Sequence, residues 1–108
     1  MKKLIITILF LSISLFAQGD KPEADCLILE DENSIICKYI HGRSSSDKNV
    51  IFEWIDPDGK ISRTREMLVP ANHGSVYDFR YMDGRKKGIW TFQIKDGEDI
   101  LKTQFEIK

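Results

Sequence analysis

The chain has only two cysteines and three prolines in 108 residues, no excess of either charge, and a single long apolar run. Two thiols fall short of the four ligands of a structural zinc site, and Cys26 and Cys37 lack the C-x-x-C spacing of a redox pair. With 16 basic and 17 acidic residues, the sequence offers no bulk electrostatic attraction to nucleic acid or to an anionic membrane. There is no G-x-S-x-G nucleophile elbow, no phosphate-binding glycine loop and no H-E-x-x-H pair. No catalytic residues and no cofactor are therefore expected, and a small hydrolase is kept only as a distant alternative. No Asn-x-Ser/Thr glycosylation acceptor occurs. A helical period is missing as well, which argues against a bundle or an α/β fold.

The apolar run lies at the start. In residues 1–19 (MKKLIITILFLSISLFAQG), two lysines precede thirteen predominantly apolar residues, 4–16, and small residues follow at Ala17 and Gly19. This is the pattern of a secretory signal peptide, with cleavage expected after Gly19 or, alternatively, after Ala17. The run falls short of the roughly twenty residues that span a bilayer. An uncleaved anchor is the competing reading. Cys26 is not a lipidation site, because Asp20, Lys21, Glu23 and Asp25 separate it from the apolar core. Removal of residues 1–19 takes away Lys2 and Lys3 and no acid, leaving 14 basic and 17 acidic residues and a formal charge of −3. One domain, 20–108, is expected in the periplasm or outside the cell, with no membrane insertion after cleavage. A domain this small has a marginal core and gains from a covalent staple.

Cys26 and Cys37 flank two apolar runs around a polar centre at 30–33, the pattern of a β-hairpin. A turn centred between Asp31 and Glu32 pairs Leu29 with Ser34, Ile28 with Ile35, and Cys26 with Cys37. Directly opposed residues lie within disulfide range, so a Cys26–Cys37 bridge is expected in an oxidising compartment. Closing a loop of about twelve residues stabilises by on the order of 3 kcal/mol in the chain-entropy model.

Further short alternating runs follow at 50–55, 60–69, 76–82, 88–95 and 100–108, separated by turn signals such as Asp56-Pro57-Asp58-Gly59. Val50, Phe52 and Trp54 share one face of their run; Tyr77, Phe79 and Tyr81 share one face of theirs. Trp90, Phe92 and Ile94 fall on one side, and Leu101, Phe105 and Ile107 face inward. Seven strands in so short a chain predict an all-β, antiparallel sandwich. The segment 54–59 (WIDPDG), with 88–94 (GIWTFQI) and 105–107 (FEI), resembles immunoglobulin-like modules of secreted and cell-envelope bacterial proteins, macroglobulin-type domains included. The resemblance covers about the second half of the mature chain. It implies a seven-stranded immunoglobulin-like sandwich and a binding role, and it brings no catalytic residues. Trp54 and Trp90 are expected on facing sheets, inside the core.

Consecutive turns of such a sandwich alternate between its two ends. One end collects 30–33, 56–59 and 83–87, with Arg85-Lys86-Lys87 near Glu30-Asp31-Glu32 as a mixed-charge rim. The other collects the polar loop 42–49, the loop 70–75 and the turn 96–99. Loops on a rigid sandwich are where binding residues concentrate, so Arg43, Ser45, Asn72, His73, Asp96 and Glu98 are the expected binding residues. The expected partner is another envelope or extracellular protein, met through these loops or along an exposed edge strand; 60–66 (KISRTRE) reads as such an edge. The alternative is a periplasmic metal-binding protein using His41, His73, Asp96 and Asp99, since imidazole and carboxylate suit zinc, copper or nickel. Without metal, both histidines are expected to face solvent.

Overall fold

A computed structural model describes residues 21–108. The predicted signal peptide, 1–19, and its cleavage site lie outside the described residues. Seven strands form: β1 (Glu23–Leu29), β2 (Ser34–Ile40), β3 (Lys48–Ile55), β4 (Ile61–Val69), β5 (Ser75–Tyr81), β6 (Gly88–Asp96) and β7 (Asp99–Ile107). They build two antiparallel sheets, three-stranded β1-β2-β5 and four-stranded β4-β3-β6-β7. The sheets share one core. Ile35, Cys37 and Tyr39 enter it from the first; Val50, Phe52, Trp54, Val69, Trp90, Phe92, Ile94, Phe105 and Ile107 enter from the second. No described helix is long and apolar enough to cross a membrane.

The β1–β2 hairpin has the expected register, with Leu29 opposite Ser34, Ile28 opposite Ile35 and Cys26 opposite Cys37. Asn33 takes the left-handed conformation (φ 54°) and donates its N–H to the Glu30 carbonyl, closing a single 3-10 turn. The Cys26–Cys37 disulfide bridges opposed residues with Cα atoms 4.0 Å apart, Cys37 being fully buried. A buried disulfide points to an oxidising compartment.

The Asp56 turn is held from within. Its carboxylate accepts from the N–H groups of Asp58 and Lys60, and its backbone N–H donates to the Lys60 carbonyl. Gly88, at φ +131°, lies against Pro57; a Cβ there would meet the proline ring at 3.0 Å. Segment 56–59 and the start of β6 are thus fitted to one another.

One expectation needs correction. Trp54 and Trp90 are buried but belong to the same sheet, on β3 and β6, because these strands pair directly and place Trp54 opposite Phe92. The aromatic face of β5 points outward. Paired residues share a face, and β2 directs Ile35, Cys37 and Tyr39 inward; their β5 partners Arg80, Asp78 and Val76 go inward with them. Tyr77, Phe79 and Tyr81 are left on the surface. β4 is an edge strand, as its composition predicts.

Candidate functional site

At the histidine end, two loops are zipped together by backbone. His41 N–H donates to the Gly74 carbonyl, Asn72 N–H to the Ser44 carbonyl, and Ala71 N–H to the Asp47 carboxylate. Arg43 Nη1 donates to the Asn72 carbonyl at 3.1 Å. Arg43, Asn72 and the exposed His73 are therefore brought together, with exposed Ser45 on the same loop pair. Asp96 is committed elsewhere, accepting from Tyr39 Oη at 2.7 Å and Lys48 Nζ at 2.8 Å. Burial opposes its ionisation, but these two donors and nearby positive charge outweigh that and hold its carboxyl below the usual value. Burial and the Asp96 partner push the Tyr39 hydroxyl well above its ordinary value. Glu98 and Asp99 are exposed in the β6–β7 turn.

His41 is not solvent-facing. It is 7% exposed, packed on the Tyr39 ring at 5.0 Å, with Nδ1 bonded to the Gly42 carbonyl and Nε2 unpartnered. The β2 strand continues its inward alternation, Cys37, Tyr39, His41, one residue past its end. Among the described residues, no group of three or more His, Cys, Asp and Glu side chains could hold a metal ion.

The two outward faces differ in character. On the four-stranded sheet, Gln93 donates to Glu53 at 2.6 Å, Lys95 lies 3.3 Å from the same carboxylate oxygen, and Thr64, Lys102 and Gln104 join a mixed surface in which exposed Ile51, Leu68, Ile89 and Ile100 stand among polar neighbours. On the three-stranded sheet, rows of paired residues run Leu27–Ile36–Phe79 and Asp25–Lys38–Tyr77, with Tyr81 beside Ser34. Leu27 (59% exposed), Tyr77 (61%), Phe79 (48%) and Tyr81 (60%) form an apolar, aromatic surface. A shallow hollow between Leu27, Ile36 and Tyr77 is bounded by Asp25 and Lys38.

Behind that face, on the core side of β5, lies a buried ionic network. Asp78 is 3% exposed and accepts from Trp54 Nε1 at 3.0 Å and Arg65 Nη1 at 2.7 Å, with Arg63 Nη1 3.4 Å away. Arg80, 7% exposed, sets its guanidinium over the Trp54 ring, 5.5 Å from the centroid, and donates from Nη1 to Ser62 Oγ. The sequence reading overlooked both the aromatic face and this network. One signal was available: Arg63 and Arg65 alternate with the same period as Phe52 and Trp54 opposite, and arginines on a core-facing side require a buried acid.

The chain matches no protein-family model, and comparison with curated proteins finds no similar sequence.

Proposed function

We propose that this chain is an exported immunoglobulin-like sandwich that works without catalysis, binding another envelope or extracellular protein through the outer face of its three-stranded sheet. The observation that carries this reading is the cluster of exposed Leu27, Tyr77, Phe79 and Tyr81, which gathers the exposed aromatic side chains of the described residues on one face, whereas the exposed Ile51, Leu68, Ile89 and Ile100 of the other sheet stand among charged and amide neighbours. Aromatic side chains dominate the centres of protein interfaces, and a contiguous apolar patch on one face of a small domain marks a contact surface. Strand order supports the immunoglobulin-like assignment. Strands 1, 2 and 5 stand against 3, 6 and 7 as in the constant-type sandwich; the fourth strand departs from that order, pairing with the third instead of the fifth. The signal-like start and the disulfide support a periplasmic or secreted location. The resemblance to macroglobulin-type modules adds a parallel on sequence motifs alone. The histidine-end loops are pinned to each other through their own backbone groups, which leaves them less to offer a partner than the open aromatic face.

The test is site-specific photo-crosslinking in living cells, with the full chain carrying a photoreactive residue at Phe79 or, as a control, at Gln104 on the polar face. A discrete protein adduct from position 79, absent from position 104 and lost in the Tyr77→Ser/Tyr81→Ser background, is expected. Equal adducts from both positions, or an adduct indifferent to the two tyrosines, would overturn it.

A further inference from the structure

The open side of the molecule, where edge strands β4 and β5 of the two sheets face each other, is lined by arginine. Arg63, Arg65, Arg80 and Arg85 surround a cleft of about 250 Å³ walled by Phe79 and Tyr81. Among the described residues, Asp78 is the one carboxylate in hydrogen-bonding contact with any of them: it takes Arg65 and Arg63, while Arg63 Nη1 also donates to the Phe79 carbonyl at 3.3 Å, Arg80 bonds Ser62 and Arg85 Nε donates to the Tyr81 carbonyl at 3.2 Å. Four guanidinium groups against one carboxylate leave a local excess of three positive charges. Arg80 is more than nine-tenths buried, yet its Nε has no hydrogen-bond partner. A buried donor of a charged group left unpaired is costly and needs an explanation.

We infer that this cleft is an oxyanion site that takes a phosphate or sulfate group, with the unused nitrogens of Arg63, Arg65 and Arg85 as its donors and the buried Arg80 guanidinium adding its charge from the cleft wall. Arginine forks match phosphate oxygens in bidentate fashion. The four approach from β4, β5 and the β5–β6 turn, so a tetrahedral ion with oxygens in several directions suits them better than a planar carboxylate with two. The cleft is smaller than the roughly 300–1,000 Å³ of sites for drug-sized molecules, which fits a free ion or the charged end of a larger ligand. Burial and the neighbouring charges of Arg85 and Arg63 bring the Arg80 pKa down to about 10. The group stays protonated at neutral pH, and a bound anion would offset both the burial that chiefly lowers the value and the repulsion that adds to it.

The site borders the proposed protein-binding face, sharing Phe79 and Tyr81 with it, and is tested on the purified protein without a partner. Thermal unfolding of the purified protein is followed in inorganic phosphate, sulfate, acetate and chloride at equal ionic strength. Phosphate and sulfate are expected to raise the midpoint above chloride, since a ligand of the native state stabilises by mass action. Arg85→Met lies in a turn, leaves the Asp78 pairs intact and should weaken apparent phosphate affinity about tenfold, the loss expected for one charged hydrogen bond. Lys87→Met, exposed on the same turn but outside the cleft, should not change it. Phenyl phosphate binding more tightly than inorganic phosphate identifies the end group of a ring-bearing ligand set against Phe79 and Tyr81, whereas equal binding identifies the free ion. Phosphate behaving like chloride, acetate outperforming phosphate, or Arg85→Met responding as the parent does would each overturn the assignment.

Discussion

Asp78 is the single residue on which most of the buried polar chemistry converges. It neutralises Arg65 and Arg63, whose side chains reach into solvent, and satisfies the buried Trp54 indole, while its own carboxylate is shielded from water. Removing the carboxylate leaves the buried Trp54 N–H unsatisfied while Arg63 and Arg65 can turn to solvent, so Asp78→Ala should cost about 1–3 kcal/mol in urea unfolding. Glu106→Ala, exposed on β7, should stay within about 0.5 kcal/mol. Two other aspartates govern the acid limb of stability. The Lys60 N–H, with further help from Asp58 N–H and Lys86, holds the Asp56 carboxyl below its usual value, and Lys48 and Tyr39 do the same for Asp96. A carboxyl whose folded pKa is depressed adds stability above its unfolded pKa and loses it as pH falls through the folded value. Stability should therefore hold from neutral pH down to about pH 4 and decline below it as these two groups protonate. Asp96→Asn should flatten that decline, as read from unfolding midpoints between pH 2 and 6.

Among the elements, the β1–β2 hairpin was the most legible in the sequence because everything that fixes it is local: two apolar runs, a turn of polar residues and cysteines symmetric about its centre. Replacing both cysteines by alanine should lower stability by about 2–5 kcal/mol, measurable as a reduced urea midpoint at unchanged slope. The Asp56 turn and the start of β6 were legible as a motif, and their meeting explains it. Gly88→Ala puts a methyl group against the Pro57 ring at a backbone angle that side chains rarely adopt, and should cost about 1–3 kcal/mol by thermal unfolding. β5 was legible as a strand but not as an orientation. Its sequence alternates Val76, Asp78, Arg80 with Tyr77, Phe79, Tyr81, and hydrophobicity alone sends the aromatics inward. The register with β2 decides otherwise, and that pairing joins residues some forty positions apart. Arg63 and Arg65 lie only 15 and 13 positions from Asp78, but on a strand of the other sheet, which hid their relation, and a separation like that of β2 and β5 made Trp54 and Trp90 look like members of opposite sheets. His41 was misplaced for a smaller reason: the inward alternation of β2 outlasts the strand by one residue.

At the scale of the whole molecule, the two sheets are closed against each other unequally. On one side β1 lies along β7, and Ile28 and Glu30 come close to Glu106 and Ile107. On the other, β4 and β5 meet mainly through the arginines and Asp78. The alternation of turns sends β1 and β7 in the same direction, so Glu23 and Ile107 stand at opposite ends of the sandwich. Tension applied between those ends would load this long seam in shear rather than peel it open strand by strand. The Cys26–Cys37 bridge, which spans a sequence separation of 11, would meanwhile keep the tip of the first hairpin out of the extended length. In single-molecule stretching, reduction of that bridge should lengthen the unfolded chain by about 32–36 Å, the reach of the eleven peptide units it shields less the 4.0 Å the bridge already spans.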